Sequence, residues 1–201
     1  NDTIVASNGG DDLIEGGAGN DDIRLADGNS QIQAGTGSDL VDARGGDDLV
    51  EGGEGADLLA GEDGDDRLYA DSKISREDAL AQNDSQPGSG EKGDWLDGGE
   101  GRDLAVGGAG NDVLAGGGGS DLLIGGGGDD LLLGDTQRDL VYRDWTVTRQ
   151  VIPQPAGNLY QYPFSQAWIS QSANPGDDAL YGGGGCDWII AGADDDFADG
   201  G

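Results

Sequence analysis

A nine-residue period runs through most of this chain, and a period that short leaves few folds open to it. Gly107 to Ala115 reads GGAGNDVLA, Gly116 to Ile124 reads GGGGSDLLI and Gly125 to Leu133 reads GGGGDDLLL, three consecutive copies of one pattern. With each copy numbered one to nine, place six is held by Asp2, Asp11, Asp21, Ser30, Asp39, Asp48, Asp57 and Asp66. It continues through Asp94, Asp103, Asp112, Asp121 and Asp130, and then through Asp178, Asp187 and Asp196. Asp holds fifteen of these sixteen places. Place four is Gly wherever it lies within the chain, except at Lys92 and Asp194. Place eight is Ile, Leu or Val in fourteen copies and Ala at Ala105 and Ala198. Asp11 and Asp21 stand ten residues apart, which reads as one extra residue, Glu15, absorbed by a bulge.

Each fixed place has a physical reading. Glycines at places one, two and four permit the positive-φ conformations of a tight turn and let backbone carbonyls converge with no Cβ in the way. Asp at place six adds a carboxylate to those carbonyls. Such a set of hard oxygen donors suits Ca²⁺, whereas zinc or copper sites draw on His and Cys, and the chain has no His. Places seven to nine read as a short strand with the eighth side chain turned inward. One inward aliphatic per nine residues cannot form a core alone, but stacked coil on coil Leu114, Leu123, Leu132 and their equivalents make a continuous apolar row.

Composition supports the turn reading. The chain holds 34 Asp against 7 Glu, with 42 Gly, and the shorter carboxylate is the one that reaches an ion beside its own backbone. A net charge of −31 with 34% hydrophobic residues would otherwise suit a disordered acidic segment; the regular spacing of Asp and Leu argues against that. So acidic a chain is not expected to bind nucleic acid. No apolar run reaches membrane-spanning length and no signal-peptide pattern stands at the start. The frame begins and ends in mid-repeat, which reads as a piece of a longer protein. Cys186, the one cysteine, falls at place five, a plain turn residue or the donor of an intermolecular disulfide.

The pattern GGxGxDxUx, with U a large aliphatic, resembles that of the repeats-in-toxin, or hemolysin-type, calcium-binding proteins. The resemblance implies an all-β fold, a right-handed parallel β-roll with two repeats per coil, and calcium ions between turns stacked on the same edge. Asp94 would then share an ion with Asp112, Asp112 with Asp130, and Asp103 with Asp121. Backbone carbonyls would come from Gly17, Gly19, Gly35, Gly37, Gly53, Gly55, Gly99, Gly101, Gly108, Gly110, Gly117, Gly119, Gly126, Gly128, Gly183 and Gly185. Roughly ten ions are expected, with the sites bordering Ser30, Lys92 and Asp194 empty or completed by water.

The frame divides the chain into one module with repeat arrays at 1–70, 89–135 and 173–201 and insertions at 71–88 and 136–172. In the first insertion Ser75 and Asp78 have capping-box spacing before Ala79 and Leu80, which suits a short helix. The second, counted from 136 to 174, carries six of the eleven aromatics: Tyr142, Trp145, Tyr160, Tyr162, Phe164 and Trp168. Val141, Trp145, Val147 and Val151 share an alternating face, and Pro153 to Asn158 reads as a turn, so a β-hairpin is expected. Place seven should face outward, yet it holds Leu40, Leu49, Leu58, Trp95, Leu104, Val113, Leu122, Leu131 and Trp188. Trp145 or Trp168 is expected to cover part of that surface.

No catalytic constellation stands out. Without His there is neither an HExxH zinc site nor a Ser-His-Asp triad, and no Walker or GxSxG string occurs. The reading is a non-enzymatic module giving calcium-dependent folding and rigidity to a secreted or cell-surface bacterial protein, exported, as the resemblance implies, through a one-step channel. Two alternatives stand beside it: an adhesive module binding a glycan or protein through the aromatic insertion, and the repeat tail of an exported enzyme. Self-association is left open by the sequence.

Overall fold

The computed structural model describes residues 1–73, 75, 78–79, 93–137, 150–154, 157–161, 170–171 and 176–201. Among these, two parallel eight-stranded sheets face each other, and the chain alternates between them at each repeat. One sheet runs through Thr3–Val5, Asp22–Arg24, Leu40–Asp42, Leu58–Asp63, Trp95–Glu100, Val113–Gly118, Leu131–Leu133 and Trp188–Ile190. The other runs through Leu13–Ala18, Gln31–Thr36, Leu49–Glu54, Arg67–Tyr69, Leu104–Ala109, Leu122–Gly127, Ala179–Gly184 and Phe197–Asp199. Two repeats therefore make one coil and eight coils make the roll, as the expected β-roll requires.

The interior is a single layer of side chains. Place-eight residues Ile23, Ile32, Val41, Val50, Leu59, Leu68, Leu96, Leu114, Leu123, Leu132 and Leu180 form one buried cluster, joined by Leu25, Ala34, Ala43 and Ala70 where place one is not glycine. The insertions do not break it. Leu58 pairs with Trp95 across the first, and Leu122 with Ala179 and Leu131 with Trp188 across the second, in unshifted register. A shift by one residue would turn every later aliphatic outward, so added chain leaves only at the corners.

The ten-residue step is corrected by this register. Leu13 pairs with Gln31, Ile14 with Ile32 and Glu15 with Gln33, so Ile14, not Leu13, is inward, Asp12 stands at place six and Asp11 at place five. Leu13 is 75% exposed. The extra residue belongs to the turn spanning 6–10 rather than to Glu15, because a turn absorbs it without breaking a ladder hydrogen bond. Turn geometry also survives where place two is not glycine, as at Arg44 and Glu62, which hold φ of 82° and 78°.

The outward faces are apolar in the middle of the roll. On one sheet Leu58, Trp95, Val113 and Leu131 at place seven are buried with Ala115 and Leu133 at place nine. On the other Tyr69, Val106 and Ile124 are buried with Ala79 of the first insertion. Ala79 is positioned by a helical turn, in which its N–H donates to the Ser75 carbonyl while the Ser75 hydroxyl accepts from the Asp78 N–H. In the second insertion a hairpin pairs Gln150–Gln154 with Gly157–Gln161, so Pro153 and Asn158 lie opposite each other within the ladder rather than in the turn. Trp145, Trp168 and the rest of the expected first strand before residue 150 lie outside the described residues.

Leu123→Ala should lower the stability of the calcium-loaded chain by about 2–5 kcal/mol, the usual cost of a large-to-small core change. Leu13→Ala should stay within about 0.5 kcal/mol. Denaturant unfolding of the two variants reads both the core and the corrected register.

Candidate metal centres

Place six is where successive turns are joined. On one edge the N–H of Asp39 donates to Oδ1 of Asp57, Asp57 to Asp94, Asp94 to Asp112, Asp112 to Asp130 and Asp130 to Asp187, at 2.7–3.0 Å. On the other edge Ser30 donates to Asp48, Asp48 to Asp66, Asp66 to Asp103, Asp103 to Asp121, Asp121 to Asp178 and Asp178 to Asp196, at 2.7–3.1 Å. Asp2 and Asp21 extend the first ladder, and Asp12 joins the second by donating to the Ser30 hydroxyl. The structure thus brings together the sequence-expected pairs Asp94 with Asp112, Asp112 with Asp130, and Asp103 with Asp121. Asp11 is not in the ladder.

The second carboxylate oxygen is left over. Oδ2 of Asp21, Asp39, Asp48, Asp57, Asp66, Asp103, Asp112, Asp121, Asp130, Asp178 and Asp187 is buried without a hydrogen bond. Such an oxygen, if ionised, needs either a cation or a proton.

Its surroundings are carbonyl oxygens. A Cβ placed on Gly107 would lie 2.6 Å from Asp112 Oδ2 and 2.6 Å from the carbonyl oxygen of Gly125 in the next turn. Gly98, Gly116 and Gly125 repeat this with Asp103, Asp121 and Asp130 and with the carbonyls of Gly116, Gly134 and Gly182. The carbonyls of places two and four enter the gap from the earlier turn. A Cβ on Gly35, Gly53, Gly117, Gly126 or Gly183 would strike the carbonyl of Gly17, Gly35, Gly99, Gly108 or Gly126, and one on Gly37, Gly55, Gly119, Gly128 or Gly185 that of Gly19, Gly37, Gly101, Gly110 or Gly128. Each gap between turns is therefore lined by carbonyl oxygens and Oδ2, a donor set that fits a hard divalent cation such as Ca²⁺. Among the described residues no three Cys, Asp or Glu side chains are placed to hold an ion by themselves, so backbone oxygens are indispensable.

Burial sets the electrostatics. Desolvation pushes the carboxyl pKa up from 3.8 to about 7 at Asp57, Asp66 and Asp178, and to about 8 at Asp94, Asp103 and Asp130. The fully buried Asp112 is raised well above its ordinary value by desolvation and then by the charges of Asp130 and Asp94. Several such sites ionised at once therefore oppose the roll.

Sequence reading missed a second ladder on the outer rim of the turns, at place five. Asn29 N–H donates to Asp11 Oδ1, Asp47 to Asn29, Asp65 to Asp47, Ser38 to Asn20, Asp129 to Asn111 and Cys186 to Asp129. The signal was the recurrence of Asn, Asp and Ser there, short side chains whose oxygen reaches a neighbouring backbone N–H. Cys186 is exposed in this row.

The model of the RTX calcium-binding nonapeptide repeat (4 copies) matches residues 1–32, 26–59, 42–72, 89–123, 106–141 and 172–201. The matches span well over half of the chain, which belongs to this calcium-binding repeat family. A comparison with curated proteins gave no match.

Two outcomes follow. Gly117→Ala places a Cβ against the Gly99 carbonyl at a φ of 107°, whereas Gly45→Ala meets nothing closer than 3.4 Å. The first should raise the calcium concentration needed for folding several-fold and the second leave it near wild type, read by circular dichroism. For pH, the folded carboxyls hold protons up to about 7 or 8 while unfolded ones release them near 3.8. The folded chain binds more protons in that window, so metal-free stability is greatest near pH 4 and falls as pH rises through 8. In excess chelator, acidification from pH 8 to 5 should therefore increase the β signal.

Proposed function

We propose that calcium ions occupy the gaps between successive turns on both edges and convert an expanded acidic chain into a rigid roll. The observation that carries this reading is the row of buried Oδ2 atoms without hydrogen bonds, repeated at place six and surrounded by carbonyl oxygens. Without the ion, carboxylates stacked one strand spacing apart repel along each edge, and a core one side chain thick is too small to overcome that repulsion together with the entropy of ordering many glycines. Each ion adds two positive charges, so roughly ten would bring the net charge from −31 to about −11. Because the ion binds only stacked turns, its binding energy becomes folding energy. Such a module serves as a folding-controlled, rigid segment of a secreted or cell-surface protein, where calcium is plentiful, and not as a catalyst.

Calcium titration of the chelated chain at neutral pH, followed by circular dichroism, should give a cooperative gain of β structure with a midpoint of about 0.1–1 mM. The double variant Asp112→Ala, Asp121→Ala should move the midpoint to higher calcium. A full β spectrum at pH 7.5 in excess chelator would refute calcium-driven folding.

A further inference from the structure

Both insertions leave the roll at the same point of the nine-residue frame. Each departs directly after an aspartate at place two, Asp71 following Ala70 and Asp135 following Gly134. In an intact pair of turns the place-two carbonyl has two contacts. It accepts the N–H of place three in the next turn, as Arg44 does from Asp63 at 2.8 Å. It also lies against the place-two Cα of that turn, as the Gly99 carbonyl does against Gly117.

At the junctions a side chain makes these contacts. Asp135 Oδ2 accepts the N–H of Ala193, at place three of the next turn, and stands against Gly192 at place two. The Asp71 carboxylate likewise accepts from the N–H of Ala109, and its Oδ2 stands against Gly108. Asp135 is 2% exposed and also spans the break, since its Oδ1 accepts from Gly176 N–H, where the chain returns 41 residues later, at 3.0 Å. Asp135 thus carries a carboxylate oxygen where an uninterrupted turn has a carbonyl oxygen.

That position lines a gap with an unanswered ligand. Asp178 Oδ2, in a residue 3% exposed, has no hydrogen bond and lies with the Ala191 carbonyl over Gly134, the neighbour of Asp135. We propose that Asp135 is a calcium ligand outside the nonapeptide pattern, its carboxylate replacing the place-two carbonyl of the turn that the second insertion interrupts. In the gap between this turn and the turn ending at Asp196, the Asp135 carboxylate then stands with Asp178 Oδ2 among backbone carbonyls, adding a charge where an uninterrupted gap has a neutral carbonyl. The extra charge makes it one of the tighter sites of the roll and places an ion at the corner from which the insertion departs. The inference rests on the calcium reading above.

The test uses the full chain. Asp135→Asn keeps the shape of the side chain and one accepting oxygen but removes the charge. Calorimetric titration with calcium should show one ion fewer, or one tight site weakened on the order of tenfold, with the saturated variant still β-rich. An unchanged ion count and unchanged affinities in the folded variant overturn the assignment. A crystal structure of the calcium-loaded wild-type chain decides the point independently of how the variant folds. An ion in this gap with an Asp135 oxygen at about 2.3–2.6 Å upholds it, and ions on the edges with Asp135 outside coordination distance overturn it. Ions on neither edge would instead defeat the calcium reading itself.

Discussion

Everything in this structure depends on a carboxylate whose two oxygens have different duties. Oδ1 of each place-six aspartate accepts the backbone N–H of the preceding turn on its edge and so fixes the stacking distance. That bond draws the carboxylate into the corner and buries Oδ2 among carbonyls. The same hydrogen bond that builds the roll therefore creates the electrostatic cost of the roll. The preference for glycine at places two and four follows from this, since the carbonyl of one turn presses on the Cα of the next, and Arg44, Glu62 and Asp194 hold the same positive φ as exceptions.

Much of this was legible in the sequence because the period is short and nearly unbroken. Place eight followed from spacing, whereas the two repeats per coil and the pairing of place-six residues came from the resemblance to the calcium-binding repeat family. The frame failed where it was locally degenerate. Asp11, Asp12, Leu13 and Ile14 can be threaded in two ways, with either Asp at place six and either aliphatic inward. Counting back nine from Asp21 selects Asp12, and the structure agrees because an extra residue costs little in a turn and flips a whole strand elsewhere. Pro153 misled in a similar way. Taken as the start of a turn, it sits in a two-stranded ladder, where a strand has a free edge that tolerates a missing N–H.

Place five and Asp135 were missed for a different reason. Their roles are set by what stands one coil away in space, 18, 57 or 58 residues distant in sequence, and a single repeat gives no hint of it. Once the coils are stacked, Asn29 and Asp129 become rungs, and an aspartate at the edge of an insertion becomes part of a turn.

The direction of the hydrogen bonds gives the roll an unusual mechanical character. The ladders run from coil to coil, so tension applied between the two ends loads them along their own axis rather than in shear, and the coils yield one after another from the ends. A regular coil lets out 18 residues, or about 60 Å of extended chain, and the two that carry insertions let out 37 and 57 residues, about 125 and 190 Å. Under force the molecule lengthens as a staircase with two tall steps, and if ions fill the gaps as proposed, the calcium concentration around it sets the force at which the staircase begins.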